Sequence, residues 1–289
     1  MTDARQIAAD LPCWQGPVSL HRLNGGISNE NFLVEEQGGT CFVARINGDV
    51  PEHGVLRIND ANCNRAAAAI GVAPDVHYAG REALVTRFVE GRTCQEADMR
   101  DPAVLERLLP LLKQVHREGL RHLRGPICAF WPFRICRDYA AFLDEHDSRV
   151  RDALPRLRAA NDRLEGLVGP FTPVLAHNDL LAANLIDDGS RLWLIDWEHA
   201  GLGHPLFDLA NLSSNNRFDG EQDRALLAAY FGAAPDAALM HRFTALQAAS
   251  LLREAMWSMV SEILSSLDFD YVAYSTEFVG RFEAVYERL

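Results

Sequence analysis

The chain has 289 residues, 48% hydrophobic and 24% charged, an ordinary globular balance that argues against a disordered or fibrous protein and leaves room for two domains. Twenty-eight Lys and Arg stand against 40 Asp and Glu, for a net charge of −12, and Lys113 is the one lysine, so a nucleic-acid phosphate backbone is an unfavourable partner. No apolar run reaches the roughly 18 residues that a membrane-spanning helix needs; Asp3 and Asp10 interrupt any leader pattern, and six scattered cysteines point to reduced thiols in the cytoplasm.

Residues 1–90 read as a strand-rich N-terminal lobe. Period-2 alternation marks strands over 18–23, 31–34 and 41–46, the last two joined by the hairpin signal Gln37-Gly38-Gly39-Thr40. The segment Asn24-Gly25-Gly26-Ile27-Ser28-Asn29 is a glycine-rich turn that either lays backbone N–H groups over phosphates or only reverses the chain. Arg45 extends from an otherwise apolar strand, to meet phosphates or solvent. An Ala-rich helix over 60–70, closed by Gly71, and strands over 76–79 and 83–89 complete the lobe. Phe88 and Glu90 fall where this lobe ends, in place to offer backbone groups to an adenine ring or to carry an edge strand away.

Residues 91–289 turn helical. Asp101-Pro102 is a helix start, and Leu105, Leu108, Leu109, Leu112 and Val115 mark its apolar face, with a kink or restart expected at Pro110. The stretch 137–167 reads as two helices broken near Pro155, and helices are expected over 221–230, 237–264 and 269–289. Between them, 174–197 is a compact region of short strands and loops, while 128–133 is as readily packing as pocket lining.

That compact region carries the chemistry. An apolar run delivers His177-Asn178-Asp179, Asn184 follows five residues after Asp179, and a second apolar run ends in Ile195-Asp196-Trp197-Glu198. Isolated Asp and Asn on loops are commonly turn formers. In this order they match what phosphoryl transfer needs: one Asp to take the hydroxyl proton, and an Asn and a second Asp to hold Mg²⁺.

Together these segments resemble the choline/ethanolamine kinase family, within the wider group of aminoglycoside phosphotransferases and thiamine kinases. The resemblance runs from Leu23-Asn24-Gly25-Gly26 through Val43-Ala44-Arg45-Ile46, Gly71-Val72-Ala73-Pro74, His177-Asn178-Asp179, Ile195-Asp196-Trp197-Glu198 and Phe207-Asp208-Leu209-Ala210-Asn211. It ends at Ser265-Ser266-Leu267-Asp268-Phe269-Asp270-Tyr271-Val272-Ala273-Tyr274, which looks specifically like choline kinases.

The resemblance implies an α+β, protein-kinase-like two-lobed fold, a small antiparallel-sheet lobe over residues 1–90 for ATP and a large, mostly helical lobe over 91–289 for the acceptor. It implies Asp179 as catalytic base, Asn184 and Asp196 as Mg²⁺ ligands, and Gly25, Gly26, Ser28, Asn29, Arg45, Phe88 and Glu90 around the nucleotide. Asp208 is a site-shaping carboxylate, and Asp60 stands where relatives carry a longer Glu paired with the strand cation. Glu198, Asn215, Glu254, Trp257, Tyr271 and Tyr274 are assigned with Asp179 to the acceptor pocket, where aromatic faces and negative charge suit an ammonium group. Glu254 occupies a place where animal choline kinases carry tryptophan, and Asn215 one where the family often has glutamate. The expected activity is MgATP-dependent phosphorylation of a small cationic alcohol, choline or ethanolamine. Thiamine, an aminoglycoside or another amino alcohol is the alternative acceptor, and a non-catalytic metabolite-binding module the alternative class.

Overall fold

The computed structural model describes residues 3–23 and 30–289; the glycine-rich turn with Gly25, Gly26, Ser28 and Asn29 lies outside them. The N-terminal lobe is a five-stranded antiparallel sheet in the order β1-β2-β3-β5-β4. β1 (Ser19–Leu23), β2 (Glu30–Glu35) and β3 (Cys41–Ile46) form a meander. Their alternate residues Leu20, Phe32, Val34, Phe42, Ala44 and Ile46 are buried, so the side-chain period of a pleated strand turns one apolar face inward. That face is covered by α1 (Ala4–Ala9), a short helix absent from the sequence reading, which buries Ala8. β4 (Val76–Ala79) and β5 (Ala83–Arg87) follow. β5 ends before Val89: Phe88 N–H still donates to Cys41 O at 3.1 Å, and the chain then leaves the sheet.

The helix expected from Asp60 begins earlier, as α2 (Arg57–Ala69). Its start is held by Asp49, whose Oδ1 accepts from Arg57 N–H at 2.7 Å, a cap eight residues upstream that a search for an adjacent N-cap misses. The connection into the second lobe passes Gly91. A Cβ there would stand 2.6 Å from Asp187 O, so only glycine lets the chain pass this close to Asp187. β6 (Arg92–Thr93) pairs with β8 (Leu185–Asp187), and β8 with β9 (Leu192–Leu194).

α3 (Pro102–His122) is capped by Asp101, which accepts from Ala103 N–H at 2.9 Å. It runs unbroken through Pro110, correcting the expected restart: Pro110 lies on the exposed face, where the carbonyl it leaves unpaired is not shut into the core. α4 (Pro132–Glu145) and α5 (Leu154–Val168) are separated at 146–153, and Pro155 sits in the first turn of α5, where a missing N–H costs nothing. α6 (Pro205–Asn215), α7 (Gly220–Phe231), α8 (Ala237–Leu264) and α9 (Tyr271–Tyr286) complete the lobe. From Phe243 to Ser261 α8 is buried nearly all round and packs against α4, α5, α6 and α9, carrying polar Gln247, Arg253 and Glu254 inward with it. Among the described residues no helix is long and apolar enough to cross a membrane, and all six cysteines are free.

Candidate active site

The segment after β7 (Val174–Ala176), which pairs with β10 (Gly201–Gly203), is held from below by α6. Asp208 is fully buried on its first turn. Its Oδ2 accepts from His177 N–H at 2.9 Å and its Oδ1 from Asn178 N–H at 2.7 Å, while His116 Nε2 stands 2.9 Å from Oδ2. Asn211, one turn on, accepts from Leu180 N–H at 2.6 Å. Asn178 takes a left-handed conformation, φ 66°, with its amide donating to His199 O at 3.0 Å. His177 Nε2 contacts Ile195 O at 2.9 Å, tying this loop to the one that carries Asp196.

Asp179 emerges from this frame half-buried, and Asn184 Nδ2 donates both to its backbone carbonyl at 2.9 Å and to its Oδ2 at 3.3 Å. Burial pushes the Asp179 carboxyl up to about 8; the Arg253 guanidinium opposes the rise, and Glu254, Asp196 and Glu198 add to it. Asp196 is left-handed too, φ 64°, and Ile195 N–H donates to Asn184 O at 2.9 Å, so Asp179, Asn184 and Asp196 share one hydrogen-bonded unit. Burial also raises the Asp196 carboxyl, against the pull of Arg45.

Arg45 reaches into this unit from β3. Its Nη1 lies 2.8 Å from Asp196, 3.3 Å from Asp60 and 3.5 Å from Glu198. Burial by itself would ease the proton off Arg45; Asp196, Asp60 and Glu198 more than reverse that and push its pKa up. Arg57, which sequence reasoning missed, joins the cluster at 3.2 Å from Asp60 and 3.0 Å from Glu198. Glu198, expected among the acceptor residues, is therefore placed with the two arginines. Phe88 is half-buried and Glu90 exposed beside the lobe connection.

A second cluster lies on α8 and α9. Glu254 is almost fully buried, with Oε1 accepting from Tyr274 OH at 2.9 Å and Oε2 from Arg253 Nη2 at 2.6 Å. The guanidinium of Arg253, also missed from sequence, lies 5.9 Å from the Phe130 ring centroid, and its Nε has no hydrogen-bond partner among the described residues. Trp257, one turn beyond Arg253, meets Tyr271 and Tyr274 edge-on, both at 6.2 Å. Tyr271 OH itself donates to Ser265 Oγ at 2.9 Å. Asn215 stands apart, donating to Asn211 Oδ1 at 3.2 Å. The 128–133 segment packs: Ala129 bridges Leu202, and Phe130 lies 5.4 Å from Phe207.

A family model described as the phosphotransferase enzyme family matches residues 19–243, well over half of the chain. The chain belongs to that family. The phosphotransferase is 24% identical over 294 residues to mouse ethanolamine kinase 2, covering 91% of this chain and 75% of the relative. It is 29% identical over 214 residues to a thiamine kinase of Shigella boydii, covering 72% and 69%. Among solved structures, a choline/ethanolamine kinase family protein from Mesorhizobium loti superposes with a TM-score of 0.74 at 29% identity, over 98% of this chain and 93% of that one. The expected kinship, the enzyme class and the two-lobed α+β fold are borne out.

The phosphotransferase has no cluster of three or more His, Cys, Asp and Glu able to hold a metal among the described residues. Magnesium does not need one: it keeps several waters and phosphate oxygens and takes one or two protein ligands. Asp196 supplies a buried Oδ1 that accepts no hydrogen bond of good geometry, although Arg45 lies close to it, and Asn184 has its amide nitrogen turned away to Asp179. That donor pair fits a hard, oxygen-seeking cation.

Proposed function

We propose that the protein transfers the γ-phosphoryl group of ATP to the hydroxyl of a small cationic alcohol, choline or ethanolamine, with residues 1–90 holding the nucleotide and 91–289 the acceptor. The observation that carries this reading is the placement of Asp179. It stands bonded to Asn184 beside Asp196 on one side and within electrostatic reach of Glu254 and Tyr274 on the other.

In this reading Asp179 accepts the acceptor's proton as the oxygen–phosphorus bond forms. The carboxylate form is the one that takes this proton, and the Arg253 guanidinium favours that form against burial. Asn184 holds the Asp179 carboxylate in place and, with Asp196, holds Mg²⁺, which when bound neutralises charge on the phosphate oxygens. Arg45, held by Asp60, offers its guanidinium to the phosphates, and Arg57 pairs with Asp60 and Glu198 behind it. Trp257, Tyr271 and Tyr274 offer ring faces to the ammonium group, with the Glu254 carboxylate behind them.

ADP release from ATP with and without Mg²⁺ tests this, against choline, ethanolamine, thiamine and an aminoglycoside. Turnover confined to choline and ethanolamine, lost by at least about a hundredfold in Asp179→Asn with ATP still bound, is the expected result. Turnover of thiamine alone, or ligand binding without turnover and without any need for Mg²⁺, sinks it.

A further inference from the structure

The aromatic cluster on α8 and α9 is not closed by the helical lobe alone. After β3 the chain makes a turn at Pro51–His53, shut by a backbone pair in which Val50 and Val55 exchange N–H···O bonds of 2.9 and 3.0 Å. Pro51, Glu52 and Gly54 face solvent, whereas His53 turns inward. Its Nδ1 lies 3.1 Å from Tyr139 OH on α4 and its Nε2 3.1 Å from Ser261 Oγ on α8. The imidazole is edge-on to Tyr139, with ring centroids 5.6 Å apart, and tilted by 40° over Trp257 at 5.8 Å.

Three rings therefore surround Trp257, and one of them is delivered from the nucleotide side of the molecule. Neutral imidazole donates from one nitrogen and accepts at the other, and two hydroxyls, each able to do either, satisfy both. Burial, reinforced by the Arg253 guanidinium, pushes the His53 pKa down to about 4, so the ring carries no charge at neutral pH and does not repel a cation beside the indole. The turn itself does not need this residue, because the Val50–Val55 pair already closes it.

We propose that His53 is a specificity-determining residue of the acceptor pocket: pinned between Tyr139 and Ser261, it walls off Trp257 from the nucleotide lobe and limits the size of the ammonium group admitted. The proposal rests on the reading of a cationic alcohol as acceptor. Removing the ring opens room beside the indole for N-methyl groups, which favours bulky over small cations. A steric limit of this kind is worth about tenfold in discrimination. A residue that merely tethered the lobes would weaken all acceptors alike.

The test compares wild type, His53→Ala and His53→Gln in two assays. The first is the ratio of kcat/KM for choline to that for ethanolamine, with KM for ATP alongside. The second, which needs no transfer, is the ratio of calorimetric affinities for tetramethylammonium and methylammonium. His53→Ala is expected to move both ratios about tenfold toward the bulkier cation with KM for ATP within about twofold. His53→Gln, whose amide can still donate and accept, stays nearer wild type. If His53→Ala does not fold, Tyr139→Phe with Ser261→Ala frees the ring and is expected to move the ratios the same way. Unmoved ratios in a wild type that turns over the panel overturn the role of His53 and leave the function standing. A wild type that phosphorylates no alcohol, yet discriminates the two ammonium probes through His53, loses the function and keeps the inference. Failure to bind either probe, with no alcohol turned over, overturns both.

Discussion

Arg45 and Asp60 meet at 3.3 Å between β3 and α2, with Asp60 wholly buried. Arg57 approaches the same Oδ2 at 3.2 Å, and Glu198 sits beside both arginines. Burial raises the Asp60 carboxyl pKa and Glu198 adds to the rise, while the two guanidinium groups oppose it without cancelling it. Asp60→Asn removes the charge and leaves two buried arginines sharing Glu198 and Asp196. The expected cost is about 3 kcal/mol of stability in urea unfolding. The expected kinetic effect is a KM for ATP raised about tenfold with KM for the acceptor within about twofold. An unchanged KM for ATP would break the link between this cluster and the nucleotide.

Asp208 touches no expected substrate, yet it holds the backbone of His177 and Asn178 with both oxygens. Asp208→Asn replaces one acceptor with an N–H₂ group aimed at an N–H donor. Charged hydrogen bonds of this kind carry about 1.5–3 kcal/mol each. Unfolding should shift by about 3 kcal/mol, and displacement of Asp179 by a fraction of an ångström should lower kcat by about a hundredfold. Full kcat in a folded Asp208→Asn variant would show that the loop positions itself.

Glu254 has both carboxylate oxygens committed, one to Arg253 and one to Tyr274. Glu254→Gln therefore strands a buried guanidinium, with an expected loss of about 3 kcal/mol, and it raises KM for cationic acceptors about tenfold because the uncompensated charge faces them. The double variant Arg253→Met/Glu254→Gln should recover most of the stability. The coupling energy from a double-mutant cycle reads this directly, and a value near zero would mean the pair is not an energetic unit.

His204 caps α6, its Nδ1 accepting from Leu206 N–H at 3.0 Å, and its ring stacks on Phe171 at 4.2 Å. Burial first, then the Arg242 guanidinium, moves its pKa down from 6.5 to about 4. The folded state thus favours the neutral ring. Its contribution is complete above pH 6.5, where both states are unprotonated, and is lost as pH falls from 6.5 toward 4, where the unfolded chain binds the proton first. The loss is at most about 3 kcal/mol, at 1.36 kcal/mol per pKa unit. His204→Asn keeps a capping side chain but does not titrate, so its unfolding free energy should fall less between pH 7 and 4. Parallel curves for the two proteins would count against the cap.

The parts legible in the sequence are those written in local pattern. Alternation marks β2 and β3, the helix expected over 237–264 matches α8, and Asp101-Pro102 marks the start of α3. Asp179, Asn184 and Asp196 are legible because order and spacing on one short stretch carry their chemistry. Asn215 and Glu198 were placed by analogy along the chain, and the fold sets Asn215 against Asn211 and Glu198 against the arginines.

By itself, then, the sequence determined the two-lobed α+β plan and set Asp179, Asn184 and Asp196 on one short stretch, because periodicity and spacing act over a few residues. Which cation holds which acid, and which ring meets Trp257 from the first lobe, only the tertiary structure decided. Arg57 and Glu198 are 141 residues apart and His53 and Ser261 are 208 apart. A buried charge or a half-buried ring takes its partner from whatever the packing of α2, α4 and α8 brings within about 3 Å of it, and no local pattern encodes that meeting.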